Sequence, residues 1–389
     1  MKRADLRCAI EHININKKLK EVQPMKKIAY VGIDYHLKTL TCAVLIEGEK
    51  ELFDTIRFIN TDKNIKKYMK KLSDTYEIRA CYEASCNGYS FQRKMQSWGY
   101  HCDVIAPSLI PKKPGDRRKN DFRDARALVQ HYAHGILTIV HPPTEQEESV
   151  RGFIRCRIAM KKNEKSVKQQ INSLLLAQGL HWGKSKWTAQ HRIWLKKIEL
   201  QHENSQRVLD EYFGLLEYLS SRIQYLDQKI EDIANSEIYA PSVKKLKAFK
   251  GISTLTAMLL IAEITDFRRF PNPRALMAYL GLIPSEDTSD DKQKGGAITK
   301  AGNNRCRTQL VESVIHYIKK PIISAKMKRD LKDVDAHSAN IAIKCMKRLH
   351  KRYWSLVMKG KNSNKAKTAI AREFVGFIWA MMQPEPAAI

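Results

Sequence analysis

Four acidic residues in a strongly basic chain have the types and positions to bind hard cations: Asp34, Glu83, and the pair Asp121 and Asp124. Asp34 closes an apolar run from Ile28 to Ile33, and Glu83 closes another from Ile78 to Tyr82. Both runs read as buried strands. Asp121 and Asp124 are three residues apart at the expected start of a helix, so both point to one face. Carboxylates at strand ends and a helix start can converge on Mg²⁺ or a similar divalent ion. Such ions, about 3.5–4 Å apart when paired, stabilise the attacking and leaving oxygens as phosphodiesters are cut or joined. Taken singly, each acid also has an ordinary role: strand-end turn residue, rim charge, helix N-cap.

The elements that must position these acids alternate in a recognisable order. Strands are expected at Ile28–Asp34, Thr39–Ile46, Leu52–Ile59, Ile78–Glu83 and Cys102–Ile105, and helices at about Asp62–Ser73, Gly88–Trp98 and Asp121–His134. Three meandering strands followed by β/α alternation predict a mixed sheet with helices on its faces. Asp34 and Glu83 can then be neighbours at the sheet centre. The loop Pro111–Asn120, rich in Pro, Gly, Lys and Arg, delivers Asp121 beside cationic groups.

The 389 residues suffice for two or three domains, and a hydrophobic content of 43% excludes a disordered polyelectrolyte. With 69 Lys and Arg against 41 Asp and Glu, the +28 charge sits on the surface of a folded protein and favours a polyanionic partner, nucleic acid first. The most apolar stretch, Ile252–Ile264, falls short of the roughly 20 residues of a membrane span and includes Glu263. The first 24 residues read as an extension before a cleaner start at Met25, without an apolar signal core. The eight cysteines show no C-x-x-C spacing, which fits a reducing cytoplasm. His131 and His134 are three apart, but no cysteine or histidine pair lies close by to complete a zinc set.

Residues from about Glu145 to Asn235 read as helical. Leu209, Tyr212, Leu216, Leu219, Ile223, Leu226, Ile230 and Ile233 form a heptad seam over about three repeats, open either to self-association or to a hairpin against Val150–Leu180. The region is expected to be a scaffold without chemistry of its own. Beyond Pro241, Gly251 marks a turn between two helical stretches with Ser253 and Thr254 as candidate N-caps. That turn is either a phosphate-binding helix N-terminus or a tight corner between packed helices. Gly281–Arg307 is long, polar and Gly-rich and reads as a functional loop. From Ala336 to Met382 the chain is helical again. Lys344, Lys347, Arg348, Lys351 and Arg352 form one basic stripe there, either a solvated face or a contact to a nucleic-acid backbone.

These motifs together resemble the insertion-sequence 110 family of transposases, a group with a RuvC-like DEDD domain that also includes the Piv invertase. The resemblance covers Met25 to Gln383. It rests on YVGIDYH, YEASCNGY and KNDFRDARAL in the first part, with Asn120 where Thr is usual. In the second part it rests on FKGISTLTAMLLIAEI, RFPNPRALMAYLGLIPSE and GGAITKAGNNRCR, and in the tail on AIAREFVGFIWAM. The order and spacing are specific where each motif alone is weak. The implied architecture is α/β: an N-terminal extension (1–24), an RNase H-like (RuvC-like) mixed-sheet domain (25–143), a helical coiled-coil spacer (144–240), a mainly α transposase domain (241–330) and basic C-terminal helices (331–389).

The resemblance implies that Asp34, Glu83, Asp121 and Asp124 bind Mg²⁺ or Mn²⁺. It aligns Ser289 with a serine nucleophile, with Ser285 and Thr288 as alternatives. Asp290 stands where Gly usually follows that serine, placing a negative charge beside the expected phosphate. The implied function is a DNA transposase that moves its own element by serine attack on phosphodiesters, with a structured guide RNA as partner. A homo-oligomer, dimer or tetramer, is expected in the bacterial cytoplasm, associated with the nucleoid and not with membranes. The alternatives are a metal-dependent junction nuclease and a decayed copy that only binds nucleic acid.

Overall fold

The computed structural model describes residues 26–85, 87–111, 120–289 and 292–384. By its internal contacts the chain divides into two compact units, Met1–Pro142 and Pro143–Ile389.

In the first unit, β1 (Ile28–Tyr35), β2 (Thr39–Ile46), β3 (Asp54–Ile59), β4 (Glu77–Glu83), β5 (His101–Ile105) and β6 (Ile139–Val140) form one sheet in the order β3-β2-β1-β4-β5-β6. β1 runs antiparallel to β2 and parallel to β4, so the sheet is mixed. β2 is buried along all but its first residue, as a central strand covered on both faces must be, whereas β3 at the edge is largely open. The parallel neighbours are joined by α1 (Asp62–Ser73) and α2 (Ser90–Ser97), and α3 (Asp121–Ala133) follows β5. This is the RNase H-like architecture. Sequence periodicity missed only β6, which is two residues long.

Strand alternation assigns the two faces. Val31, Ile33, Cys42, Val44, Ala80 and Tyr82 pack with Ile65, Met69, Phe91 and Met95 of α1 and α2. The opposite side of the same strands, Ala43, Leu45 and Cys81, packs with Ala125, Leu128 and Val129 of α3. Asp34 and Glu83 continue that second, α3-facing side.

The second unit opens on α4 (Glu145–Ala177), whose start is fixed by a capping box between Thr144 and Glu147. After the short α5 (Ala189–Leu195), α6 (Glu203–Ala234) returns antiparallel along α4. Arg157 holds Asp227 through two hydrogen bonds, and Ser220 meets Glu164 one step along the pair. Leu209, Leu219, Ile223, Leu226 and Ile230 are buried, so the heptad seam closes inside the chain as a hairpin against α4.

α7 (Ala240–Lys247), α8 (Thr254–Ile264), α9 (Pro273–Tyr279), the hairpin of β7 (Pro284–Ser289) and β8 (Lys292–Ile298), α10 (Asn304–Ser313), α11 (Ala325–Asp330), α12 (Ala336–Met358) and α13 (Ser363–Met381) complete the unit. Phe249, Leu260, Leu276, Leu310, Tyr317, Leu349 and Phe374 belong to one core. α8 is buried from Thr256 to Ile264, which accounts for the chain's most apolar run. Among the described residues no helix is long and apolar enough to cross a membrane.

Two features of this unit differ from sequence expectation or decide an open choice. The segment Gly281–Arg307 is not one long loop: about half of it is the paired strands β7 and β8, a two-stranded ladder whose polar composition hid it, and its end is the start of α10. At Gly251 the backbone has φ +89° and an added Cβ would stand 2.7 Å from the Ser313 carbonyl oxygen, so the turn is a packed corner. Ser253 caps the following helix by accepting from the Thr256 amide.

Candidate active site

Asp34 and Asp121 come together where β1 ends beside the start of α3. The parallel register runs to Ile33 opposite Tyr82, so the next pair along is Asp34 and Glu83. α3 begins at Asp121 because Asn120 caps it, its side chain accepting from the Phe122 amide at 2.9 Å. That puts Asp121 and Asp124 in the first turn, where the helix macrodipole favours negative charge. Gly32, two residues before Asp34, lets α3 approach β1 closely: an added Cβ would lie 2.6 Å from both the Ala125 oxygen and the Val129 nitrogen.

Asp34, Asp121 and His36 offer ligand atoms that all lie within 4.8 Å of one another. His36 Nε2 is 3.2 Å from Asp34 Oδ2 and 3.8 Å from Asp121 Oδ1. Arg57 Nη2 lies 3.4 Å from Asp121 Oδ2 on the other side and also donates to Thr39 Oγ1. Burial, aided by the charges of Asp121 and Asp124, raises the Asp34 carboxyl above its ordinary range against the opposing pull of His36. Glu83 and Asp124 are exposed and stand outside the three-residue group.

Two features of this group fit a hard divalent cation. Burial first, and the charges of Asp121 and Asp124 after it, disfavour ionisation of Asp34, a penalty that a bound cation would offset. Thr41, paired across the strands with Asp34, is buried and its Oγ1 has no hydrogen-bond partner, so the wall beside Asp34 holds an unused polar group. Both suit a divalent ion with its bound waters.

His36 was missed by sequence reasoning although a signal existed. It lies two residues beyond Asp34 in YVGIDYH, the spacing that keeps two strand residues on one face. Arg57 carries no such signal, because β2–β3 pairing brings it in.

In the second unit, Ser289 is the last residue of β7 and pairs with Lys292, the first of β8. Its side chain, those of Thr288, Lys292 and Lys294, and residue Asp290 lie outside what the structure describes, as does most of the basic loop before Asn120. Ser285 is described, and its hydroxyl donates across the hairpin to the Ala297 carbonyl at 3.0 Å.

Beside the base of the hairpin lies a charge cluster centred on buried Glu263. Arg155 of α4 clasps Glu263 of α8 with Nε and Nη2 at 2.7 and 2.8 Å. Asn303 Nδ2 donates to the same carboxylate at 2.8 Å while its Oδ1 caps α10. Arg307 Nη1 donates to the Leu280 carbonyl. Burial alone would raise the Glu263 carboxyl, but Arg155 and Asn303 outweigh it and hold it below its ordinary value.

The basic stripe lies on the open face of α12, where Lys344, Lys347, Arg348, Lys351 and Arg352 are all exposed. Arg348 is not free there, because its Nε lies 2.6 Å from Glu373 of α13.

Comparison with known proteins gives this arrangement its class. A DEDD transposase model of insertion-sequence 110 elements matches residues 31–178, the stretch containing all four acids. A second model, described as "Transposase IS116/IS110/IS902 family", matches residues 243–328, the stretch containing the hairpin. Protein y4qE of Sinorhizobium fredii, described as a candidate transposase, is 34% identical over 359 residues, covering 91% of this chain and 88% of that protein. The transposase for insertion sequence element IS1533 of Leptospira borgpetersenii is 32% identical over 256 residues, 64% of this chain and 73% of that protein. The transposase for insertion sequence element IS1111A of Coxiella burnetii is 23% identical over 379 residues, 95% and 93% of the two chains. The chain belongs to the insertion-sequence 110 family of transposases.

Proposed function

We propose that this transposase mobilises its element by serine-mediated strand exchange, guided by a structured RNA. Asp34, Glu83, Asp121 and Asp124 would hold Mg²⁺ or Mn²⁺, and Ser289 would be the nucleophile. The observation that carries the metal assignment is the convergence of Asp34 and Asp121, with His36, on one point at the end of β1. A divalent cation bound there supplies Lewis-acid stabilisation of charge on the reacting phosphate.

The chain's own groups have separate tasks. The Ser289 hydroxyl attacks phosphorus: a serine O–P bond forms as the bond to a deoxyribose oxygen breaks, and that oxygen leaves protonated once the serine proton is lost. The resulting phosphoserine ester conserves the bond energy for attack by the hydroxyl of a different strand, where water would only cut. Ser285 is a poorer candidate because its hydroxyl is already engaged with Ala297. The glutamate cluster around Asn303 fixes the root of the hairpin that presents Ser289.

The test is denaturing electrophoresis of protein incubated with element-end DNA. Wild type and Ser285→Ala are expected to yield a covalent protein–DNA adduct and Ser289→Ala none. Strand exchange by Ser289→Ala would overturn the nucleophile, and undiminished excision by Asp34→Ala would overturn the metal centre. A discrete structured RNA is expected to co-purify with the protein.

A further inference from the structure

The connector at the tip of the α4–α6 hairpin has features that the proposed mechanism does not use. Between Lys165 and Ile198 the sequence holds seven Lys and Arg, no Asp or Glu, and three of the chain's six tryptophans. Trp182, Trp187 and Trp194 surround His191 with ring centroids 5.5, 5.2 and 5.5 Å from its own. The His191 ring is buried and its Nδ1 accepts from the Trp187 amide at 3.0 Å. Burial first, and the charge of Lys186 second, push the imidazole inside this tryptophan collar below its ordinary pKa.

The three indoles are only partly covered, and Lys168 Nζ sits 5.3 Å over the Trp187 ring. Around them Lys184, Lys186, Arg192, Lys196 and Lys197 are exposed. Among the described residues, none of these five has a carboxylate within ion-pair distance. Other exposed cations of this unit do: Lys161 pairs with Glu164, and Arg348 with Glu373. Packing the tip requires the rings but not a concentration of unpaired like charges, which repel one another. Half-covered aromatic faces among free cations are what unpaired nucleotides recognise, through base stacking and phosphate contact.

We propose that this tip is a binding site for single-stranded nucleic acid, with Trp182, Trp187 and Trp194 as stacking faces and the surrounding lysines on the phosphates. It rests on the reading that the chain acts on nucleic acid, but not on the metal centre or the nucleophile.

The test uses the full chain with Lys184, Lys186, Lys196 and Lys197 all changed to alanine. Labelled RNA and DNA of one sequence are titrated, single- and double-stranded, over a range of salt. Each lost phosphate contact lowers the single-strand salt slope by about 0.7, so four lower it by about 2.8. Between about 50 and 200 mM salt the wild type then loses affinity about 50-fold more than the variant. A thio-substituted single strand is expected to photo-crosslink within Trp182–Trp194. A change confined to RNA would identify a guide strand as the ligand, and one confined to DNA an unwound element end. Unchanged slopes for both single strands, or no crosslink in that segment, would overturn the site. Asp34→Ala is expected to lose excision and keep this binding, so the two readings fail separately.

Discussion

Gly32 allows the acid cluster to be tested without altering an acid. In Gly32→Ala the new methyl would stand 2.6 Å from the Ala125 oxygen and the Val129 nitrogen and 2.9 Å from Val129 Cβ, where ordinary contact begins at 3.4 Å. Two of the three obstacles are backbone atoms, so no side-chain rotation relieves them. α3 must retreat from β1 by up to about 0.8 Å, and Asp121 retreats with it, because the helix moves as one body. Overpacking of this kind costs about 1–3 kcal/mol, a fall of several degrees in melting temperature for a domain of this size. Misplacement by about 1 Å in a catalytic constellation costs about 100-fold in rate. The variant is therefore expected to remain folded, to bind Mn²⁺ more weakly and to excise its element about 100-fold less often. Excision frequency in cells, thermal melting and Mn²⁺ titration measure the three effects. Wild-type excision with a lowered melting temperature would refute the reasoning, since it would mean that the spacing of Asp121 from Asp34 does not matter to the reaction.

Other expectations concern the second unit. Glu164, nearly buried between Lys161 and Lys168, has its carboxyl held down to about 2: burial opposes the shift and the two lysines outweigh it. Because its folded value lies below the ordinary 4.5, its stabilisation is complete above about pH 4.5 and is lost as pH falls toward 2. Glu164→Gln should cost about 1–3 kcal/mol at neutral pH and progressively less below about pH 4. A gap from wild type in denaturant titrations that does not shrink with acid would count against it. Glu263→Gln removes the buried charge that Arg155 and Asn303 hold, at a cost of about 1–3 kcal/mol by the same titration, discounted because the Arg155 side is open to solvent. A loss below about 1 kcal/mol would mean that the cluster is not holding the hairpin base. Lys347→Ala with Lys351→Ala removes two stripe cations without disturbing the Arg348–Glu373 pair. The duplex salt slope should then fall by about 1.8, and an unaltered slope would return the stripe to a solvated face.

Much of the first unit was readable because its strands are apolar runs ended by turn residues, and its helices carry caps and regular apolar spacing. Thr61 and Asn120 mark the starts of α1 and α3, and both caps form. The acids were readable because each ends or begins such an element. What stayed hidden depends on pairing between distant segments. β6 is too short to carry a pattern and exists because Val104 and Ile105 offer it an edge. The β7–β8 hairpin is polar on both faces, so alternation could not reveal it. Arg57 reaches Asp121 only through strand register. The three tryptophans stand plainly in the sequence, yet the heptad seam that follows them suggested a plain spacer. The collar forms because a turn with Trp187 at φ +65° folds that ring back onto His191.

His36 and Arg57 line the pair Asp34 and Asp121 and bear on how the unit is held together. Arg57 balances part of the negative charge of Asp121, and His36 gives Asp34 a hydrogen-bond partner, so the sheet and α3 meet at carboxylates that are already engaged. An ion bound at the proposed centre would thus join a fold already held together, unlike a metal that nucleates its domain. Arg57 is nearly half exposed, and contacts of that kind are worth only about 0–1 kcal/mol. In the proposed function these two side chains would be placeholders, engaging the carboxylates and yielding at little cost to a bound cation.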